Sequence, residues 1–154
     1  MAHDGSAMPM PCFADAAARE SMGPRLTLLG RGAWGSTLEN LWRDQGLEVR
    51  SWSRRDGGSP EHLLSDCDLV VVAVSMAAVR PLAAALALSW PAGLPLLSCS
   101  KGIDLEGLCT ASQLWGQQLP QAPSAVLSGP NLADELQRGL PAASVIASHD
   151  PSLA

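Results

Sequence analysis

The order of apolar runs, glycines and amphipathic stretches predicts an α/β fold, a doubly wound parallel sheet with helices on both faces. Three observations lead there. From Arg25 onward, short apolar runs alternate with stretches of helical period, the signature of successive βαβ units. One run, Leu69 to Val74, lacks any polar alternation, so it needs cover on both faces, as a central parallel strand has. The first run ends in Gly30-Arg-Gly-Ala-Trp-Gly35, the glycine spacing of a strand-to-helix turn that can receive a phosphate.

Taken in order, residues 1–24 are rich in Ala, Met and Pro without a sustained period and read as a disordered extension, with a transient helical turn over Ala14 to Glu20. Arg25 to Leu29 is the first strand, a buried run ending on glycine. A helix over Ala33 to Gln45 carries Leu38, Leu41 and Trp42 on its apolar face and stops at Gly46. Glu48 to Trp52 is the second strand. Ser59-Pro60 caps a short helical turn, since proline suits a first helical position. The third strand runs over Asp68 to Val74, and a helix over Met76 to Leu88 closes at Trp90-Pro91. Leu94 to Ser98 is the fourth strand, followed by a helix over Leu108 to Leu119. Ala125 to Leu127 is the fifth strand, then a short helix over Asn131 to Arg138. The sixth strand spans Ala143 to Ala147. Asp150-Pro151-Ser152 starts one more helix just before the sequence stops, so the chain reads as truncated ahead of a second domain.

Composition narrows the function. A chain of 154 residues that is 47% hydrophobic and 16% charged holds one domain with a core of useful size. A net charge of -5 argues against nucleic acid, which needs a basic face. Cys12, Cys67, Cys99 and Cys109 show neither Cys-x-x-Cys spacing nor a histidine at zinc-ligand spacing, so free thiols and no metal are expected, Cys67 and Cys99 as small core residues. His3, His62 and His149 fall on polar segments and should face solvent. No apolar stretch reaches the length of a membrane span, about 20 residues. The acidic first segment fits neither a signal nor a transit peptide, so a cytoplasmic protein is expected.

Four loops carry the chemistry. In the first, Gly30 permits the tight turn, Gly32 lets the backbone approach a pyrophosphate, and Gly35 allows close helix–strand packing. The free N–H groups at the start of the helix attract the phosphates. The domain is thereby a dinucleotide-binding Rossmann type. The second loop, Trp52-Ser-Arg-Arg55, has no acid at the strand tip, where NAD-selective domains place an Asp or Glu about 20 residues past the glycines. Arg54 and Arg55 suit the 2′-phosphate of NADP, which an acid would repel. The cofactor is therefore NADP or NAD. The third loop, Ser98 to Asp104, holds Lys101, the only lysine in the chain. At the carboxyl edge of the sheet, its ammonium can bind substrate or stabilise charge developing on a carbonyl oxygen. The fourth loop is Leu127-Ser-Gly-Pro-Asn-Leu-Ala133. There Pro130 is placed to start a helix and Gly129 leaves the backbone uncovered beside it, an arrangement suited to a phosphorylated or carbonyl substrate.

With these loops in view, the chain resembles the bacterial-type NAD(P)-dependent glycerol-3-phosphate dehydrogenase family. The resemblance rests on Gly32-Ala-Trp-Gly35, Trp52 to Arg55, Ser100-Lys-Gly-Ile103 and Leu127 to Ala133, and continues through Gly139 to Ala143 and Val145 to Ser148. It covers Arg25 to the last residue. It implies hydride transfer between NAD(P)H and dihydroxyacetone phosphate to give sn-glycerol 3-phosphate for phospholipid synthesis. By the same resemblance, Trp34, Arg54, Arg55 and Ala133 line the cofactor, together with Gly30, Gly32, Ala33 and Gly35 of the glycine loop. Lys101 touches both cofactor and substrate, and Gly129 and Asn131 touch substrate. The family's proton-transfer lysine belongs to a helical C-terminal domain beyond Ala154. Homodimerisation is expected to need that domain too, and the 154 residues alone are expected to be inactive. Arg31, Glu39 and Ser75 depart from the family pattern, in which small residues, alanine and proline are usual.

Two other readings start from the same residues. A 3-hydroxyacid or 6-phosphogluconate type of dehydrogenase shares the glycine loop, but is not expected to share Lys101 together with the Ser-Gly-Pro-Asn loop. A non-catalytic dinucleotide-binding module would bind cofactor and never oxidise it.

Overall fold

The computed structural model describes residues 23–153. Most of the expected extension over 1–24, with Cys12 and His3, lies outside the described residues. Six strands form one sheet: β1 (Arg25–Leu29), β2 (Glu48–Trp52), β3 (Leu69–Val72), β4 (Leu96–Ser98), β7 (Ser124–Ser128) and β8 (Val145–Ser148), in the order β2-β1-β3-β4-β7-β8. All neighbours are parallel except β7 and β8, which pair antiparallel from Ala125 opposite Ser148 to Ser128 opposite Val145. The expected parallel sheet is thus formed by five strands, with one antiparallel strand at this edge. The residues between β7 and β8 supply only the five-residue helix α4 (Ala133–Gln137), and the chain turns back instead of crossing the sheet.

Strand alternation sorts the core into two layers. Val70 and Val72 face α2 (Met76–Leu86) and α3 (Ala111–Gln118), in a cluster with Val79, Leu86, Leu114 and Trp115. Val71, Leu26, Leu28 and Leu97 face the other side, where Leu38 of α1 (Ala33–Asp44) packs with Val49 and Cys99. Successive side chains point to opposite faces, which is why an unbroken valine run needed helices on both. The doubly wound architecture follows.

Several boundaries and one face differ from the sequence reading. In α1 the buried residues are Gly35, Thr37, Leu38 and Glu39, while Leu41 is 37% exposed and Trp42 half-buried. Helical period alone did not register that Thr37 is satisfied internally, donating from Oγ1 to the Ala33 carbonyl and accepting from Gln137 Nε2. The third and fourth strands are shorter than expected, β7 is one residue longer at each end, and α2 stops at Leu86. The helix expected from Leu108 starts only at Ala111, because a small antiparallel hairpin, β5 (Ile103–Asp104) and β6 (Cys109–Thr110), intervenes. Leu108 there has φ of 47°, and Thr110 caps α3 by accepting from the Gln113 N–H. Asp104 fixes the hairpin, accepting from Arg80 of α2 at 2.5 Å and from the Gly107 N–H at 2.7 Å. These bonds hold its carboxyl below the usual range.

Two short turns form where expected. Ser59 and Pro60 open a short 3-10 turn over Pro60–Leu63. Asp150 accepts from the Ser152 N–H at 2.9 Å at the start of a turn over Pro151–Leu153. Cys99 is buried and Cys67 half-buried. Cys109 is buried too, and all three are free thiols. His62 and His149 are exposed. Among the described residues, no helix is long and apolar enough to cross a membrane and no acid–thiol–imidazole group could hold a metal. Leu132, Leu140, Val145 and Ile146 leave apolar surface exposed on α4, β8 and the segments beside them.

Candidate functional site

Strand order reverses between β1 and β3, so the loops at their carboxyl ends diverge and leave a crevice. The glycine loop lies there, and its three glycines do different work. Gly30 has φ of 111°, and a Cβ on it would come within 2.6 Å of the Ala73 carbonyl oxygen. A Cβ on Gly35 would sit 1.8 Å from the Gly30 carbonyl oxygen. Gly32, with φ of −77°, has nothing within 4 Å of its would-be Cβ. Two glycines are thus required by packing, and the third keeps open a space beside the start of α1.

That contrast gives a test that separates fold from binding. Gly35→Ala is expected to cost about 3 kcal/mol through overpacking, a fall in Tm of roughly 6–12 °C for a domain of this size. Gly32→Ala should leave Tm nearly unchanged and weaken dinucleotide binding. Equal Tm values for the two variants would contradict this division.

The crevice holds two cavities that share Gly32, Ala73, Val74 and Ser75 as lining. One, of about 600 Å³, lies towards β2, between Trp52, Arg54 and Arg55 on one wall and Ala78 and Pro81 of α2 on the other. The other, of about 430 Å³, lies towards β4 and β7, lined by Ala33, Trp34, Ser100, Lys101, Asn131 and Ala133. Together they make one cleft that crosses the glycine loop.

In the first half, Arg54 and Arg55 are exposed on a one-turn 3-10 helix, Arg54–Asp56. Ser53 and Asp56 cap it reciprocally, with the Ser53 N–H donating to Asp56 at 2.8 Å. Hydrogen bonds from Ser53, aided by the Arg31 charge, hold the Asp56 carboxyl below the usual range. The acid that the sequence placed beyond the arginines is therefore the residue that shapes their loop. Arg31 ion-pairs with Asp56 at 3.7 Å and with Glu39 at 3.6 Å. Glu39, only 4% exposed, also holds Arg43 at 2.7 Å and accepts from Ser51 Oγ at 2.8 Å. Two of the three departures from the family pattern, Arg31 and Glu39, are thus partners of one another.

In the second half, Lys101 Nζ donates to the carbonyl oxygens of Gly129, at 3.3 Å, and Asn131, at 3.2 Å. It also lies 5.1 Å from the centre of the Trp34 ring, an attractive cation–π distance. Residues from the loops after β1, β4 and β7 therefore converge on one ammonium. The expected substrate contacts Lys101, Gly129 and Asn131 are together, and Trp34 and Ala133 line the same space. Two details differ from the sequence reading. Pro130 does not start a helix, since α4 begins at Ala133 after Leu132. Gly129 is not left uncovered; its φ is 149°, and a Cβ would come within 2.5 Å of the Ala143 carbonyl oxygen. The fold needs glycine there so that the approach to β8 can pass close by.

The polar atoms suit a ligand. Trp34 Nε1, Ser100 Oγ and Asn131 Oδ1 are buried and have no partner among the described residues, a condition that is costly unless a bound group or water satisfies it. Asn131 Nδ2 donates to Ser144 Oγ at 2.6 Å, which fixes the amide. Burial pushes the Cys99 thiol up to about 12, so the cysteine in this wall is inert and not a nucleophile. The open face at Gly32, the flanking arginines and these unpaired atoms fit a dinucleotide lying along the cleft.

Comparison with known proteins agrees. Residues 57–154 match the family described as NAD-dependent glycerol-3-phosphate dehydrogenase N-terminus. This chain belongs to that family. It is 46% identical over 130 residues to a glycerol-3-phosphate dehydrogenase [NAD(P)+] of Synechococcus sp. (strain JA-2-3B'a(2-13)), covering 82% of this chain and 40% of that protein. Against the enzyme of the same name from Synechococcus elongatus it is 48% identical over 130 residues, covering 80% and 40%. The chain thus spans about 40% of the length of these curated relatives. Among solved structures, the glycerol-3-phosphate dehydrogenase of Coxiella burnetii superposes with a TM-score of 0.74 at 22% identity, covering 84% of this chain and 48% of that one. An imine reductase from Pseudomonas sp. reaches a TM-score of 0.59 at 16% identity, over 73% and 43%. At such identities these likenesses speak for the fold alone. The family is NAD(P)-dependent, and this chain corresponds to its nucleotide-binding N-terminal part.

Proposed function

We propose that residues 25–154 form the cofactor-binding unit of a cytoplasmic glycerol-3-phosphate dehydrogenase that reduces dihydroxyacetone phosphate to sn-glycerol 3-phosphate for phospholipid synthesis. The observation that carries this reading is the single cleft across the glycine loop, with Arg54 and Arg55 at one end and Lys101 at the other. The adenosine end of NADP or NAD lies between Trp52 and the arginines. The pyrophosphate lies against Gly30, Gly32, Ala33 and the start of α1, which Gly35 lets approach β1, and the nicotinamide lies near Trp34 and Ala133. The bound nicotinamide supplies the hydride. Lys101 holds the substrate oxygen or phosphate, with Gly129 and Asn131 fixing both the ammonium and the far wall.

Buried Asn131 and the two carbonyl ligands of Lys101 set the position of the ammonium at the substrate end. Such preorganised charge is the main catalytic resource of a carbonyl-reducing site.

Cofactor titration tests the adenosine end. NADPH is expected to bind at least as tightly as NADH, with a preference that weakens as salt is added, because both arginines are exposed. Arg54→Glu should penalise NADPH about 10- to 100-fold, the worth of a charge-assisted hydrogen bond, and change NADH little. Quenching of tryptophan fluorescence reports both titrations. A clear NADH preference in the unaltered chain would remove the arginine assignment.

A further inference from the structure

The ion pairs of Arg31 go beyond the assignment of Arg54 and Arg55. Arg31 lines the same cavity as those two arginines, but from the glycine loop. Its guanidinium reaches across to Asp56, the last residue of the turn that carries Arg54 and Arg55. The contact therefore bridges the two loops between which the adenosine ribose would lie.

Each carboxylate has a closer partner than Arg31. Glu39 is satisfied by Arg43 at 2.7 Å and Ser51 at 2.8 Å, and Asp56 by the Ser53 N–H at 2.8 Å. The links from Arg31 are longer, at 3.6 and 3.7 Å, on a side chain 47% exposed. Half-exposed pairs of this kind contribute little and are readily exchanged. A phosphate with two charges and several acceptor oxygens is a stronger partner for a guanidinium than one shared carboxylate.

We propose that Arg31 is a specificity-determining residue for the cofactor: Asp56 holds it back in the free protein, and the 2′-phosphate of NADP displaces Asp56 as its partner. The inference rests on the dinucleotide reading of the cleft. Asp56 acts as an internal competitor of the phosphate, so it lowers NADPH affinity through Arg31. NADH, with a hydroxyl at that position, offers Arg31 no comparable partner and leaves the bridge in place.

The test is a double-mutant cycle on the 154-residue chain, with NADPH and NADH binding measured by titration calorimetry and Tm recorded for every variant. Arg31→Ser is expected to weaken NADPH about 10-fold and NADH less than about 2-fold. Asp56→Asn keeps an oxygen to accept the Ser53 N–H but loses the charge, and should tighten NADPH about 3-fold or more. In the Arg31→Ser background that gain should vanish, because nothing is left to release. A gain that persists there would mean that Asp56 repels the phosphate directly, and equal effects of Arg31→Ser on both cofactors would remove its role in selection. Either result overturns the inference while the cleft still binds dinucleotide. Failure of the unaltered chain to bind either cofactor would instead refute the function proposed above.

Discussion

Replacing Lys101 with alanine is expected to lower kcat/KM for dihydroxyacetone phosphate by about 10²–10³, the usual cost of removing one preorganised charge partner at a reacting centre. An ammonium has three donors, and the carbonyls of Gly129 and Asn131 take two of them. The third is free to serve the substrate oxygen or phosphate, and Trp34 beneath limits how the ammonium can swing. The loss of fold stability should be small, since the side chain is exposed and its contacts are two long hydrogen bonds. The measurement is steady-state turnover in a protein where this chain is joined to the C-terminal part of a curated relative, with Tm as control. Lys101→Arg should recover little, because the wider fork does not fit between two carbonyls set for a point charge. Near-normal turnover of the alanine variant would reduce Lys101 to a tie between the β4 and β7 loops.

The 154-residue chain by itself is expected to bind NADPH and to turn over no dihydroxyacetone phosphate. Reducing a ketone takes a proton as well as a hydride, and the cavity beside Lys101 offers no suitable donor. Besides Lys101 it is lined by glycine, alanine, serine, Asn131, Cys99 and apolar residues, with no carboxylate or imidazole. The Cys99 thiol is pushed up to about 12 and does not release its proton near neutral pH. His62 is turned to the Ser59 carbonyl on another loop, and His149 follows β8; neither lines either half of the cleft. The cavity is also open to solvent, which weakens each electrostatic contact within it. The check is NADPH absorbance with and without dihydroxyacetone phosphate. Consumption above the no-protein rate would place a proton donor within these residues.

How much of this was legible in advance depended on whether the physics was local. The valine run at Leu69 to Val72 announced a central strand because burial on both faces leaves no room for alternation. The glycine loop, the two arginines and Lys101 were identifiable from residue type and position after a strand. By contrast, the hairpin at Ile103 to Thr110 carries no strand-length apolar run. It is held by Arg80, 24 residues away from Asp104, and no local pattern reveals such a bond. Pro130 opens no helix, since proline also suits a turn, and the backbone of Ala143 passes close beside Gly129 there.

The sequence by itself determined the α/β class, the two-sided core, the cofactor loop and the residue types at each strand end. Those follow from periodicity, from glycine's lack of a Cβ and from the position of charge, all of which act over a few residues. Only the tertiary structure decided that β8 runs antiparallel, that Thr37 and Glu39 rather than Leu41 face inward on α1, and that Arg31 stands between Glu39 and Asp56. It also decided that Lys101 reaches across 28 and 30 residues to the carbonyls of Gly129 and Asn131. Each of these depends on a contact between segments distant in the chain, where partner and geometry, not propensity, set the free energy.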